Sequence, residues 1–309
     1  MLKPNRTVIT EFLLLGFGNL HSLKMICFIS FLLIYIMSLM GNVLVILLVM
    51  TNRSLHSPMY FFLSQMSVSE IIFTSNIVPN MLHLILAGGG NMSITQCLIQ
   101  FYLLGVPTIA QCLLLAAMSF DRYVAICNPL HYSRIMTIKL QVQLTFICWF
   151  LGFSLTLLIY VFLNELQFCD SNVINHFYCD VPPVLALSCS DTFAAELVTS
   201  LVSFPIILSP FGIIITTYVS ILITIFKIPT TSGRQKAFST CSSHLTIVCM
   251  YYGTLTTIYI FPPKESLVSV NKGLSLLYTL VTPLLNPVIY TLRNRDIRQA
   301  IQKCLEKGT

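Results

Sequence analysis

The sequence predicts an all-α membrane protein: a seven-transmembrane helix bundle followed by a short amphipathic cytoplasmic helix. Three observations predict it. The 309 residues are 56% apolar and only 9% charged, whereas a soluble domain carries about 25% charge. Too few polar groups are left to cover a globule in water. Seven stretches, roughly 24–50, 58–84, 97–126, 141–163, 196–226, 237–261 and 271–292, are each long enough to cross a bilayer, which takes about 20 mostly apolar residues. Lys and Arg, finally, are unequally shared between alternate connections.

That asymmetry sets the orientation. Arg53, Arg122, Arg134, Lys139, Lys227, Arg234, Lys236, Arg293, Arg295, Arg298, Lys303 and Lys307 fall on one side, 12 of the 17 basic residues. Lys3, Arg6, Lys24, Lys264 and Lys272 make up the other 5. The positive-inside rule then puts the N-terminus outside and the C-terminus in the cytosol, as an odd number of spans requires. The expected division is an extracellular tail over 1–23, a seven-span domain over 24–292 and a cytoplasmic tail over 293–309. The net charge of +6 is spread along one membrane face and not gathered into a nucleic-acid patch. With no cleavable leader pattern near the start, the first apolar helix is expected to act as its own insertion signal.

In chain order, Asn5-Arg6-Thr7 is a glycosylation sequon on the outer tail. Asn91-Met92-Ser93 is a weaker one near the membrane. Asn52-Arg53-Ser54 faces the cytosol and is rejected on topology. The first span holds Asn42, which needs a partner in an apolar run or costs a few kcal/mol. The second opens on Pro58, cheap at a first helical turn, and carries Glu70 three turns in. An intramembrane acid is a functional candidate by default, and its bland reading is a neutral acid bonded to Ser or Asn. Leu104, Thr108, Gln111 and Leu115 share one face of the third span, where Gln111 either meets Glu70 or acts as helix–helix glue.

The third span ends in Met118-Ser119-Phe120-Asp121-Arg122-Tyr123-Val124-Ala125-Ile126-Cys127. An acid and a base side by side at a helix end can exchange partners, which suits a two-state switch. A snorkelling Arg anchor is the plainer reading. The outer loop after the fourth span carries Cys169, Cys179 and Cys189. With Cys97 these are four cysteines in an oxidising compartment, and four cysteines allow three pairings. His176 in that loop is a weak metal ligand if the cysteines are bridged.

Pro205 and Pro210 open local room in the fifth span, and Tyr218 lies near its inner end. The sixth span has a basic entrance at Arg234 and Lys236, then small residues. Tyr252, Thr256 and Tyr259 form a stripe of hydroxyl tips, which reads either as core or as a weakly polar pocket wall. In the seventh, two prolines around Asn286 break the helix ladder, where side chains or water must substitute. Ile297, Ile301, Cys304 and Leu305 line one face of the tail, with basic residues opposite, as in a helix lying on the inner leaflet. Cys304 is a candidate for palmitoylation.

These motifs together resemble the rhodopsin-like G-protein-coupled receptors: seven spans, Asp121-Arg122-Tyr123 at the end of the third, and Asn286-Pro287-Val288-Ile289-Tyr290 in the seventh. Finer marks resemble the vertebrate odorant receptors. They are Pro58-Met59-Tyr60-Phe61-Phe62-Leu63-Ser64, the Met118–Cys127 stretch, Lys236-Ala237-Phe238-Ser239-Thr240-Cys241-Ser242-Ser243-His244-Leu245 and Pro283-Leu284-Leu285-Asn286-Pro287. The loop His176-Phe177-Tyr178-Cys179-Asp180 is similar to that of the tetrapod-type, class II branch.

The resemblance implies an odorant bound among helices three, five, six and seven, beneath the outer loop. It implies Cys97 paired with Cys179 and Cys169 with Cys189. It implies coupling to a stimulatory heterotrimeric G protein at the plasma membrane, through Asp121, Arg122, Tyr123, Tyr218, His244, Asn286, Pro287 and Tyr290. Phe120 stands where the family has Tyr. Glu70 and Gln111 stand where it usually has Asp and often Glu, which counts against a sodium site at Glu70. No other metal and no cofactor is implied.

The expected ligand face comprises Leu104, Gly105, Thr108, Ile109 and Cys112 on the third span, and Val202, Ser203 and Ile206 on the fifth. Tyr252, Leu255, Thr256 and Tyr259 on the sixth and Leu276 and Thr279 on the seventh complete it. None is charged, so a small neutral ligand is expected, since a buried ion without a counter-charge is expensive. A transporter or channel is one rival, but there is no internal repeat and there are few buried charges for a relay. A receptor for a non-odorant signal is the second. No Ser/His/Asp set, metal spacing or phosphate loop supports an enzyme.

Overall fold

The structure, a computed structural model, describes residues 9–18, 20–169, 171–260, 268–293 and 297–302, with backbone alone at 233, 236–240, 243, 259–260, 268–269 and 290–293. The helices of the bundle are α1 (Lys24–Thr51), α2 (Pro58–Ala87), α3 (Ile94–Cys127), α4 (Ile138–Asn164), α5 (Phe193–Phe226) and α6 (Thr231–Leu255), the last extended by a π-helical turn over Thr256–Ile260. The seventh, α7, is built from Val268–Leu276, a π-helical turn Leu277–Val281, and Thr282–Arg293. α1 to α5 are long and apolar enough to span a membrane unaided. The basic, Ser-rich start of α6 and the interruptions in α7 dilute the pattern there.

Local chemistry sets the ends. Pro58 opens α2, and Gly88, at φ 77°, closes it in the left-handed conformation that suits glycine. Ser93 caps α3 through a reciprocal pair with Gln96. α3 is the axis of the bundle: 72% of its apolar window is buried, against 28% in α1, α4 and α5, whose outward faces carry bare Leu, Ile, Phe and Met for lipid.

Glycine sets the closest contacts. A Cβ on Gly152 would lie 2.7 Å from the Val106 carbonyl oxygen, and one on Gly105 2.6 Å from the Thr156 methyl, so α3 and α4 touch nearly backbone to backbone. Small residues allow such approach where water gives no hydrophobic drive between helices.

The expected break in α7 is mended by side chains. Pro287 has no N–H to give the carbonyl of Pro283, and Asn42 donates to that carbonyl instead at 3.2 Å. Thr282 donates to the Leu277 carbonyl at 3.0 Å. Thus Asn42 finds the partner its apolar setting demands.

The outer segments add something the all-helical reading omits. β1 (Glu11–Leu14) pairs antiparallel with β2 (Gly90–Ser93) and parallel with β3 (Val173–Ile174), in the order β2-β1-β3. The tail is therefore woven into the lid, and Phe12 and Leu14 are fully buried under it. Cys97–Cys179 and Cys169–Cys189 are the two bridges, so one of the three open pairings is the one realised. Residues 297–302 are helical, with Ile297 and Ala300 packed against protein. At Ile297 the face expected on lipid is buried in protein, while Ile301 is half-buried. Asn5, Cys304 and Leu305 lie outside the described residues.

Candidate functional site

A cavity of about 80 Å³ lies between the outer halves of α3, α4 and α5, roofed by the loop. On α3 it is lined by Leu104, Gly105, Thr108, Ile109 and Cys112, and on α5 by Val202, Ser203 and Ile206; Leu255 closes it from α6. Those are nine of the fourteen residues of the expected ligand face.

The others sit differently. Tyr252 is buried and donates to the Cys112 carbonyl at 2.8 Å, so it braces the wall of the cavity from behind. Thr279 is buried in α7 and returns its hydroxyl to the Ser275 carbonyl at 2.7 Å. Thr256 and Leu276 are half-buried away from the cavity, and the Tyr259 side chain is outside what is described. The reason is a tyrosine screen. Tyr278 shares a 2.5 Å hydrogen bond with the Thr108 hydroxyl, and Tyr251 donates to the Thr108 carbonyl at 2.8 Å. These rings fill the space between α3 and α7, which shifts the cavity towards α4.

Sequence reasoning missed Phe101, Thr156, Ile159, Asp180, Val181, Thr199 and Ile207. Phe101 and Thr199 were within reach, since each lies one helical turn from a residue on the expected face. Thr156 and Ile159 carried no such signal. Asp180 corrects a specific expectation, because an acidic residue does stand in the lining of this cavity. It sits beside bridged Cys179 and caps the short helix Val181–Ala186 by accepting from the Val181 N–H at 2.8 Å.

The roof is tied down from several sides. Lys272 donates to the Gly16 carbonyl at 2.6 Å and to Asn175 Oδ1 at 2.7 Å. His176 stacks on Phe177 and lies 3.3 Å from the Ser275 hydroxyl. Burial, helped by the charge of Lys272, pulls the His176 imidazole down to about 3, so at neutral pH it is an uncharged packing group. Among the described residues no cluster of three or more His, Cys, Asp or Glu is placed to hold a metal.

Below the cavity, Glu70 accepts from the Asn286 side-chain amide, while Gln111, its expected partner, makes no such contact. Asn42 Oδ1, Glu70 Oε2 and Asn286 Oδ1 are buried without a donor. One carboxyl and two amide oxygens are the donor set of a hard cation such as sodium, not of a transition metal.

At the inner rim Asp121 is fully buried. Tyr132, in the connection after α3, donates to its Oδ1 at 2.7 Å, and Arg122 lies 3.6 Å from its Oδ2. Tyr218 on α5 shares a 2.7 Å hydrogen bond with Nδ1 of buried His244 on α6. Tyr123, next to Arg122 in the chain, is half-buried, and Pro287 packs against α1 near Gly41. The Tyr290 side chain is not described. The arrangement joins an outer apolar chamber, through packed polar contacts, to a guanidinium held at the inner end of α3.

The family model described as olfactory receptor matches residues 31–307. This chain belongs to the olfactory receptor family. Human olfactory receptor 11L1 is 42% identical over 307 residues, covering 99% of this chain and 95% of the relative. Human olfactory receptor 6B1 is 44% identical over 303 residues, 98% and 97% respectively. Human olfactory receptor 5M10 is 44% identical over 309 residues, 99% and 97%. An olfactory receptor is a multi-pass membrane protein with a seven-helix bundle that takes an odorant and signals through a G protein, and it is not an enzyme.

Proposed function

We propose that this olfactory receptor lies in the plasma membrane with its N-terminus outside and its C-terminus in the cytosol. It binds a small, neutral, mostly apolar odorant in the cavity bounded by α3, α4 and α5. Binding releases Arg122 from Asp121 so that the inner rim receives a stimulatory heterotrimeric G protein of the olfactory type, which raises cAMP. The supporting observation is the cavity itself: apolar on nearly every side, roofed by a bridged loop, and backed by Tyr251 and Tyr252 of α6 and Tyr278 of α7. Its about 80 Å³ is below the about 300–1,000 Å³ usual for drug-sized ligands, which selects small molecules. Apolar burial at about 25 cal/mol per Å² over so small a ligand, less the cost of association, corresponds to micromolar affinity. Bare apolar faces on α1, α4 and α5 make membrane lipid the surrounding partner.

A cAMP reporter screen of neutral volatiles, in cells carrying the olfactory G protein, tests this reading. Saturable responses in the micromolar range are expected. Activation confined to charged amines or carboxylates at nanomolar concentration would contradict it, and tags reporting both chain ends on one membrane face would remove its basis.

A further inference from the structure

A second groove, of about 480 Å³, lies at the opposite end of the bundle, between the inner ends of α1, α2 and α4. Val49 and Met50 of α1, Phe61 and Val68 of α2 and Val142 of α4 give it apolar walls. His56, Ser57 and Gln141 give it a polar inner end. From Ser57 to Val68 the α2 wall runs about 16 Å at about 1.5 Å per residue, half of the about 30 Å hydrocarbon thickness of a bilayer. The groove is therefore as deep as one leaflet. Met50, Ile138 and Val142 line it and are also exposed on the outside of the bundle, so it opens sideways to lipid.

The charge around its inner end is one-sided. Arg53 stands two residues before Leu55, which lines the groove. Lys139 follows Ile138 on α4 and shares a helix face with Val142 three residues on. Both cations are exposed, and neither has an ion pair among the described residues. Residues 43–69 and 128–164, which supply all three walls, contain no Asp or Glu. The groove thus joins apolar walls to two unanswered positive charges.

We infer that this groove holds an anionic phospholipid of the cytosolic leaflet, with one acyl chain along the Phe61–Val68 wall and its headgroup at Arg53 and Lys139. The choice of leaflet rests on the orientation proposed above; the groove and its charge do not. Basic pockets between helices on the cytosolic side suit acidic headgroups, and the apolar depth suits the chain. A sterol would fill the apolar part, but its single neutral hydroxyl leaves both cations unmatched. A second copy meeting this one about a twofold axis would set the basic patch against itself, and like charges oppose that contact.

Trp149 is the only tryptophan of the chain, and its ring N–H donates to Gln65 of the groove at 3.3 Å. Its fluorescence reports what occupies the groove. The test is quenching of Trp149, in receptor reconstituted into phosphatidylcholine liposomes, by phosphatidylserine with dibrominated acyl chains; dibrominated phosphatidylcholine is the reference. Phosphatidylserine is expected to quench saturably and to bind roughly five- to twentyfold tighter than phosphatidylcholine, since each Lys or Arg near a membrane surface is worth roughly fivefold. Arg53→Gln and Lys139→Gln, both at exposed positions, are each expected to lower that preference roughly two- to fivefold, and the double variant to abolish it. Equal quenching by the two lipids overturns the inference. So does quenching by phosphatidylserine that rises only in proportion to its mole fraction, which is diffuse attraction without a site. Relief of the quenching by cholesterol at equal mole fraction overturns it in favour of a sterol. The liposomes carry phosphatidylserine in both leaflets, so the result is independent of receptor orientation, and none of these outcomes bears on the odorant reading, which the cAMP screen tests by itself.

Discussion

The phenol of Tyr132 donates to Asp121 at 2.7 Å while Arg122 stands 3.6 Å from the other oxygen of the same carboxyl. Burial, and then the neighbouring Asp121, push the Tyr132 phenol above its ordinary value, so it keeps its proton and is the donor. The loop thereby steadies the acid that holds Arg122. Tyr132→Phe removes one hydrogen bond to a charged group, about 1.5–3 kcal/mol. With a quarter to a half of that favouring the resting pair, ligand-independent cAMP is expected to rise roughly two- to tenfold. Basal cAMP equal to wild type at the same surface level would show that the contact is only structural.

Arg122 is the group that the resting contacts restrain, and it is only 17% exposed. Arg122→Ala is expected to abolish ligand-evoked cAMP while odorant binding, measured on purified receptor, stays within about threefold. The cavity residues lie on α3 turns well above Arg122, so the two readouts separate. Signalling retained at normal surface level would remove Arg122 from the switch.

Much of this was legible in the sequence because bilayers impose a simple rule. Apolar runs of the right length become α1 to α5, and the prolines and Asn286 announce the interruption of α7. The cavity was only half legible. Periodicity placed Leu104, Thr108, Gln111 and Leu115 on one face of α3, but nothing in the spacing says which neighbour that face meets. The tyrosines 251 and 278 decide it, by bonding to Thr108 from the α6 and α7 side. β1 was not legible either: four residues, Glu11–Leu14, acquire strand character only because β2 and β3 flank them. For Glu70 the sequence offered Gln111 or an unspecified Ser or Asn as the partner; that Asn286 is the residue that meets it depends on helix rotation, which spacing does not give.

His176 makes the lid sensitive to acid. Its imidazole is held to about 3 by burial and by Lys272, against about 6.5 in water. A depressed histidine binds fewer protons in the closed lid than in an opened one. Lid stability is therefore intact above pH 6.5 and is lost as pH falls from there towards 3. At pH 5 the loss amounts to about 2 kcal/mol. Amide exchange over residues 171–180 is expected to speed up between pH 7 and pH 5, after correction for intrinsic rates. His176→Phe is expected to flatten that dependence, and a wild-type lid indifferent to pH would show that the ring is not the titrating group.

Gly152 tests the α3–α4 contact. A methyl there would sit 2.7 Å from the Val106 carbonyl oxygen, and backbone cannot step aside as a side chain can. Gly152→Ala is expected to cost about 1–3 kcal/mol and to reduce surface receptor and thermal stability together. Gly212 on α5 has nothing within 4 Å of the same position, so Gly212→Ala is expected to be neutral or to gain up to about 1 kcal/mol from helix propensity. Melting of purified receptor compares the two, and equal effects would mean that helix propensity, not contact, governs both sites.

Glu70 separates two uses of one buried acid. Its side chain accepts from Asn286, close to Asn42, which in turn donates to the Pro283 carbonyl beside the broken ladder. If the acceptor oxygen is what α7 needs, Glu70→Gln supplies it equally well. The variant is expected to reach the surface and respond to odorant within about threefold of wild type. Glu70→Leu leaves the Asn286 amide buried without an acceptor, a loss of about 1–3 kcal/mol, and is expected to destabilise the receptor. The measurement is repeated with sodium replaced by a bulky organic cation. Under the acceptor reading wild type and Glu70→Gln behave alike in both salts. A sodium-dependent thermal shift present in wild type and absent from Glu70→Gln would instead make Glu70, with Asn42 and Asn286, a cation site.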